Sequence, residues 1–185
     1  MSPETPHSSA IETDDLVVLL LGSEGTATPG RIEGVTRLEK LIFLLERETP
    51  VGQWLTERPE FRSHRFGPFS SKIYQAVETL AAAGLLRDSA DPGQDPQDAW
   101  ETVNFVLDDV DADPFANRTF ELTDDGWNYY RALLHDLPKE APNVSSEFKH
   151  RFATIPLRQL VRYVYERYPE FTDKSEIRRD ILGHD

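Results

Sequence analysis

Residues 61–88, FRSHRFGPFSSKIYQAVETLAAAGLLRD, decide the fold that the sequence predicts. Gly67-Pro68 predicts a tight turn, and Ser70 or Ser71 then caps a helix, because a serine oxygen can accept a hydrogen bond from a free amide at a helix start. The apolar side chains at helical spacing are those of Ile73, Val77 and Leu80. Gly84 ends this helix in a left-handed conformation, and a short strand follows it.

Segments on both sides of this stretch complete a mainly helical α+β pattern with a winged-helix-like core. Upstream, residues 16–21 predict a buried helix, and Thr36-Arg-Leu-Glu39 matches a capping box at the start of a second helix. Downstream, residues 100–107 and 118–122 alternate and predict the two strands of a small β-ribbon, the wing. Further helices are predicted after Thr123 and over 146–152, 157–167 and 173–182.

Composition divides the chain into three parts. Residues 1–10 are polar and should form a disordered tail. Residues 11–137 form the predicted winged-helix-like domain, with an acidic loop rich in Asp, Pro and Gln at 88–99. Residues 144–185 are predicted to form a C-terminal helical extension that packs on this core.

The overall charge of the chain argues against a partner that carries many phosphates. Asp and Glu together number 33 against 20 Lys and Arg, which gives a formal net charge of -13. An acidic, lysine-poor composition suits a protein that stays hydrated in concentrated salt, so it fits a halophilic source as well as an ordinary acidic bacterial protein. Because phosphate contacts require a basic surface, the distribution of the cations matters more than their number.

Two segments contain no acidic residue and interrupt this trend. They are residues 61–77, with Arg62, Arg65 and Lys72, and residues 148–165, with Lys149, Arg151, Arg158 and Arg162. One interpretation is a local basic face on an acidic body. The other interpretation is that both segments are mostly buried and therefore carry few charges of either sign.

The helix that starts at Ser71 is the candidate DNA-reading element. In a winged-helix complex with DNA it would enter the major groove and present its outer face to bases and phosphates. The candidate nucleic-acid-binding residues are Arg62, Arg65, Ser70, Ser71, Lys72, Gln75 and Thr79. Glu78 lies in the middle of this face, and polar residues at this spacing are also typical of any solvated helix.

A surface for a protein partner is the alternative candidate site. Its residues are the aromatic Phe66, Phe69 and Tyr74, with Arg158 and Arg162 on the outer face of a C-terminal helix. Aromatic residues are common in protein interfaces, although the same side chains can simply close the core. The helices from Leu157 onward are also the candidates for a homodimer surface.

Nothing in the sequence predicts catalysis or a cofactor. The five histidines are scattered, and none stands at metal-ligand spacing from another or in a nucleophile turn. The chain has no cysteine, no apolar run of membrane-spanning length and no signal peptide at its start. We therefore expect a cytoplasmic protein that is not an enzyme and that holds neither a metal nor a cofactor.

Six motifs follow one another along the chain. They are Leu38-Glu-Lys-Leu-Ile-Phe-Leu-Leu45, Phe66-Gly-Pro-Phe-Ser70, Ala76-Val-x-x-Leu80, Gly84-Leu-Leu86, Phe120-x-Leu-Thr-x-x-Gly126 and Leu160-Val-Arg-Tyr-Val-Tyr-Glu-Arg-Tyr-Pro-Glu-Phe-Thr-x-Lys-Ser-Glu176. In these motifs the chain resembles the SocA-like antitoxin or Panacea-domain superfamily, and the last motif is similar to the uncharacterised YwgA-type proteins in particular. The acidic insertion at 88–99 departs from the compact pattern of that family.

The resemblance implies a winged-helix-like core and a role in bacterial or archaeal regulation, toxin neutralisation or defence against mobile elements. We therefore expect a winged-helix DNA-binding regulatory protein of a prokaryote. The alternative is an antitoxin-like or defence-associated adaptor that binds a protein, such as a toxin, without contacting DNA.

Overall fold

A computed structural model describes residues 11–26, 28–89 and 119–183 of the chain. Three predictions therefore lie outside the described residues: the disordered tail at 1–10, the acidic loop from residue 90 onward and the first ribbon strand at 100–107. The second ribbon strand, predicted at 118–122, is described from residue 119.

Helices make up most of the described residues. They are α1 (Thr13–Gly22), α2 (Val35–Glu48), α3 (Val51–Trp54), α4 (Ser71–Ala82), α5 (Asp124–Asp136), α6 (Ala141–Phe152), α7 (Leu157–Arg167) and α8 (Arg178–Leu182), with a 3-10 helix at Pro169–Phe171. The strands are β1 (Arg31–Glu33), β2 (Arg62–His64), β3 (Gly67–Phe69), β4 (Leu86–Asp88) and β5 (Thr119–Leu122). The predicted α+β, mainly helical fold class is confirmed.

The strands form two small antiparallel sheets. In the three-stranded sheet, β5 lies between β1 and β4, so that Ile32 faces Phe120 and Leu86 faces Leu122. Because successive side chains of a strand point to opposite faces, β5 buries Phe120 and Leu122 and leaves Glu121 partly exposed. Strands β2 and β3 form a separate hairpin.

The core is built around α1 and α2. Residues 16–21 are fully buried, as expected of a helix that is apolar on all sides. Helix α1 packs against α4, α5 and α6, and α2 packs against α6 and α7. Phe148 of α6 and Leu160 of α7 belong to the same apolar cluster as α1, so the C-terminal helices share the core of the preceding residues.

The predicted capping box at Thr36 and Glu39 is wrong. Helix α2 begins one residue earlier, at Val35, after Gly34, which adopts φ +88° and offers no side chain as a cap. Thr36 and Glu39 are both buried within the helix, and Glu39 accepts a hydrogen bond from the amide of Ser70. A tertiary partner has therefore replaced the local one that the sequence spacing predicted.

The predicted turn at Gly67-Pro68 is also wrong, because both residues belong to β3 and the turn falls at Arg65 and Phe66. Gly67 has φ +87°, and a Cβ atom there would lie 2.6 Å from the ring of Tyr165. Glycine is therefore required both by the backbone conformation and by the close approach of α7. The predicted start of the following helix at Ser71 and its end before Gly84, which has φ +74°, are confirmed. The predicted serine cap is wrong, because the Ser70 side chain makes no capping hydrogen bond.

Two further helix boundaries differ from the prediction. Helix α6 begins at Ala141 rather than at 146, because Pro142 fits the first turn of a helix, where no amide is needed for a hydrogen bond. Helix α8 covers only Arg178–Leu182 of the predicted 173–182. The residues before it instead form turns that bind the hairpin, and the amide of Glu176 donates a hydrogen bond to the carbonyl of Arg65 at 2.9 Å.

Candidate interaction surface

The start of α4 is held from inside the molecule by two consecutive charged residues of α2. Glu39 Oε1 accepts a hydrogen bond from the amide of Ser70 at 2.9 Å, and Lys40 Nζ donates one to the carbonyl of Pro68 at 2.8 Å. The Glu39 and Lys40 side chains are 3% and 1% exposed, and Oε2 of Glu39 lies 3.8 Å from Lys40 Nζ. Together they hold the last strand residues of the hairpin and the residue that precedes α4.

Burial changes the proton affinity of both members of this pair. Desolvation raises the pKa of Glu39 to about 7, although Lys40 and the Ser70 amide both lower it. Desolvation also lowers the pKa of Lys40, against the attraction of Glu39. A small cavity beside the pair is also lined by Thr36, His64 and Phe66. The pair therefore positions α4 and is enclosed beneath the hairpin.

Ser70 does not face a nucleic acid. Its side chain is buried, and its hydroxyl donates a hydrogen bond to the carbonyl of Pro59. Its amide is occupied by Glu39, so neither group is available to a phosphate. The prediction that Ser70 contacts a DNA backbone is corrected on this ground.

Lys72 is engaged by two carboxylates from the loop that precedes the hairpin. Its Nζ atom lies 2.7 Å from Glu57 Oε1 and 3.0 Å from Glu60 Oε1, and these hydrogen bonds raise the pKa of Lys72. Glu60 has φ +55° and is the one non-glycine residue with a positive φ among the described residues. Such a conformation costs free energy and is common at functional sites.

The outer face of α4 is polar, and carboxylates outnumber cations around it. Ser71, Gln75, Glu78 and Thr79 are exposed along it. Lys72 is the one cation within α4, and both Glu57 and Glu60 lie against it. We call these seven residues the α4 surface: Glu57, Glu60, Ser71, Lys72, Gln75, Glu78 and Thr79. It carries three carboxylates and one ammonium group, so its net charge is negative.

The two predicted arginines before α4 have different surroundings. Arg65 lies in the hairpin turn, and its Nε atom is 3.2 Å from Glu176 Oε1. Arg62 is exposed on β2 and forms no ion pair with any described carboxylate. Of the cations predicted to contact DNA from this segment, two are therefore already paired with carboxylates.

The predicted aromatic patch is not an exposed patch. Phe66, Phe69 and Tyr74 are all partly buried, and Phe66 and Tyr74 pack against the apolar core. The Phe69 ring lies 5.5 Å from that of Tyr74 and stacks on His64 at 4.7 Å. These aromatics mainly join the hairpin to α4. This agrees with the alternative interpretation of the same side chains, in which they close the interior instead of forming an interface.

Arg158 and Arg162, the other two predicted partner-binding residues, lie on α7. Arg158 donates a hydrogen bond to the carbonyl of Asp180 in α8 at 2.6 Å. Arg162 donates one to Glu166 on the next turn of α7 at 2.8 Å. Both arginines therefore have partners within the C-terminal extension.

The residues that sequence reasoning missed are Glu39, Lys40, Glu57 and Glu60. Glu57 and Glu60 precede the acid-free segment 61–77 by only a few residues, so a search limited to that segment could not register them. A wider window would have found both carboxylates beside the predicted helix start. Glu39 and Lys40 carried no such signal, because charged neighbours on a helix are usually exposed.

Comparison with known proteins adds no assignment. No family model, curated protein or solved structure was found to match the chain. In the ranges 11–26, 28–89 and 119–183, no group of three or more metal-ligating side chains is placed to hold an ion. Within the same ranges, every helix is too short or too polar to cross a membrane.

Proposed function

We propose that this chain is a winged-helix-type regulatory module that acts by binding another protein, and that the α4 surface is the contact. In a winged helix, the strand after the first helix pairs with the last strand of a terminal ribbon. The order α1, β1, α2, α4, β4 and β5, with β5 between β1 and β4, supports this topology. The hairpin β2–β3 then stands as an insertion before the helix that is exposed for recognition.

The observation that carries the proposal is the double ion pair of Lys72. Affinity for DNA comes largely from cations that replace counterions at phosphates. Lys72 is the one cation of α4, and Glu57 and Glu60 already neutralise it. Glu57 and Glu60 together carry one negative charge more than Lys72 neutralises, and Glu78 adds another. A DNA backbone that approached this helix would therefore be repelled.

The sequence between β4 and β5 supports the same conclusion. In a winged helix this connection forms the wing, which often contacts the DNA backbone. Residues 90–118 contain a single basic residue, Arg118. The same stretch of sequence contains eight acidic residues: Asp91, Asp95, Asp98, Glu101, Asp108, Asp109, Asp111 and Asp113. We propose that the partner is a protein with a basic surface, because complementary charges accelerate association and select the partner.

DNA binding is the second candidate function, and it has its own supporting observation. Ser71, Gln75 and Thr79 point outward on α4 with side chains that can donate and accept hydrogen bonds, and Arg62 is exposed on the neighbouring hairpin. This candidate requires that phosphates displace Glu57 and Glu60 from Lys72.

One experiment separates the two candidates. A photo-crosslinking amino acid is placed at Gln75, in the α4 surface, and as a matched control at Arg131, which is exposed on α5. Both variants are expressed in the cells that naturally produce the protein. We expect a discrete protein adduct from position 75 and none from 131. The purified partner should bind the wild type with an affinity that falls with salt and is at least 10-fold weaker for Glu57→Gln/Glu60→Gln.

A DNA titration completes the test. Retention of random-sequence duplex DNA is measured at several salt concentrations for the wild type, Lys72→Glu and Glu57→Gln/Glu60→Gln. The protein-binding proposal predicts no retention by the wild type at about 50 to 200 mM salt. Over this range, the DNA affinity of a protein with about 6–10 phosphate contacts falls by about 10³–10⁵. Salt-dependent retention that is lost in Lys72→Glu and strengthened in the double variant would overturn it in favour of DNA binding.

A further inference from the structure

A cleft lies outside the α4 surface and shares no residue with it. The cleft has a volume of about 270 Å³ and is bounded by β1, the first turn of α2 and the residues that follow α6. Its walls include Arg31, Glu33, Arg37 and Thr154. Residues distant in sequence therefore meet in one cleft that the proposed function does not use.

The charge of this cleft is opposite to that of the chain. Two guanidinium groups and one carboxylate line it, whereas the whole protein has a formal net charge of -13. Thr26, Thr28 and Thr154 also line the cleft, and the Thr26 hydroxyl already donates a hydrogen bond to the carbonyl of Thr28 at 3.0 Å. Guanidinium and hydroxyl groups are the donors that proteins use for oxyanions.

Arg31 has a donor that the described residues do not satisfy. Its Nη2 atom donates a hydrogen bond to Glu33 Oε1 at 2.7 Å. Its Nε atom is buried and finds no acceptor among the described residues. A buried donor without a partner is unfavourable, so the Arg31 guanidinium group keeps hydrogen-bonding capacity that an added acceptor at this wall would use.

Arg37 is held in place at another wall. Its Nη1 atom donates to the carbonyls of Ala153 and Ile155 at 3.2 and 2.6 Å. These bonds fix the guanidinium group before any ligand arrives, which lowers the entropy cost of binding. A guanidinium retains its positive charge in proteins, so Arg37 contributes to the positive potential of the cleft.

The first turn of α2 adds to this potential. Its N-cap is Gly34, which offers no side chain, and its first turn contains no acidic residue. Glu33 and Arg37 stand on either side of this start, and both line the cleft. The positive end of a helix macrodipole therefore adjoins the two arginines.

We propose that this cleft binds a small oxyanion, a phosphate or carboxylate group of a free metabolite, with Arg31 as the principal contact. Glu33 competes for Arg31 and so limits the affinity of the site. An anion bound here would link β1 to the residues after α6, and so would tie the C-terminal extension to the three-stranded sheet. The inference does not depend on the proposed function of the α4 surface.

The test measures binding of inorganic phosphate and, separately, of succinate by the full chain, using calorimetry at constant ionic strength in chloride. Wild type, Arg31→Gln and Glu33→Gln are compared. The matched control is Arg62→Gln, which removes an exposed arginine outside the cleft. Arg37 is left intact, because its hydrogen bonds to two carbonyls hold the fold.

We expect saturable binding of at least one anion by the wild type. Arg31→Gln should weaken it at least 10-fold, Glu33→Gln should tighten it several-fold, and Arg62→Gln should leave it unchanged. Preference for phosphate or succinate identifies the type of oxyanion. Absence of saturable binding, equal affinity in Arg31→Gln, an equal loss in Arg62→Gln or no tightening in Glu33→Gln would overturn the proposal. The melting temperature of each variant shows whether it is folded, independently of binding.

Discussion

Two Glu–Lys clusters adjoin the start of α4, one inside the molecule and one on its surface. The inner cluster consists of Glu39 and Lys40, which are almost fully buried and bind the backbone at Ser70 and Pro68. The outer cluster consists of Glu57, Glu60 and Lys72, whose side chains are 53%, 60% and 26% exposed. The same side-chain chemistry therefore occurs on both sides of one helix start.

The difference between the clusters lies in what water does to each. Water screens the outer cluster and can replace its hydrogen bonds, so such pairs contribute little to stability. Burial shields the inner cluster from solvent, and removing one partner leaves the other buried without its hydrogen-bonding or charge partner. The inner cluster consequently sets where α4 sits, whereas the outer cluster sets which charges α4 offers to a partner.

The largest expected effect comes from breaking the inner cluster. At a pH well above 7, where Glu39 is ionised, Lys40→Met leaves the carboxylate in the core without its cation and the Pro68 carbonyl without its donor. We expect the free energy of unfolding to fall by about 3–5 kcal/mol, measured by urea denaturation. Lys40→Met/Glu39→Leu is the control and should recover part of the loss. A fall no larger than that of an exposed pair would contradict the distinction between the clusters.

The pH dependence of stability sharpens the same comparison. Burial raises the pKa of Glu39 to about 7 from 4.5. Between these values the native carboxyl holds a proton that the unfolded chain has released. The contribution of Glu39 to stability is therefore fully present below pH 4.5, falls as the pH rises towards 7 and is constant above it.

The measurement is the difference in free energy of unfolding between the wild type and Glu39→Gln at several pH values. It should decline across this window by an amount on the order of 3 kcal/mol, because the pKa of Glu39 rises from 4.5 to about 7. His64 lines the same cavity and could titrate in the same pH range. His64→Gln is therefore introduced into both proteins that are compared, the wild type and Glu39→Gln. A difference that stays flat with pH would show that Glu39 is ionised throughout.

The smallest expected effect belongs to the outer cluster. Lys72→Ala removes the ammonium group that bridges Glu57 and Glu60, and exposed ion pairs contribute little to folding. We expect its melting temperature by calorimetry to match that of the wild type. Gln75→Ala, on the same helix face, is the control for the loss of a polar side chain. Destabilisation as large as that of Lys40→Met would show that the outer cluster is structural.

The fold elements that were predicted correctly are those that local chemistry specifies. The apolar run at 16–21 is buried on all sides, and α4 starts at Ser71 and is followed by Gly84 as expected. Thr123 caps α5 by accepting a hydrogen bond from the amide of Gly126. Periodicity and glycine conformation act within a few residues, so the sequence displays them directly. The caps predicted for α2 and α4 failed, because Glu39 and Ser70 bind tertiary partners instead.

The candidate site was less predictable, because its properties depend on side chains that meet across the fold. The cations of the acid-free segments illustrate this. Lys72 finds Glu57 and Glu60, and Arg65 finds Glu176. Lys149 is fully buried and donates to the carbonyls of Leu21 and Ser23, which caps the end of α1. A segment without acids therefore does not produce a basic surface.

The sequence by itself determined the α+β class, the buried first helix, the position of α4 and the acidic character of the chain. Each of these follows from composition or from interactions within one or two helical turns. Only the tertiary structure decided that Glu39 and Lys40 are inside, that Lys72 is neutralised and that Arg31 and Arg37 share a cleft. The physical reason is that burial and ion pairing depend on distances between residues far apart in sequence, and no local pattern encodes these distances.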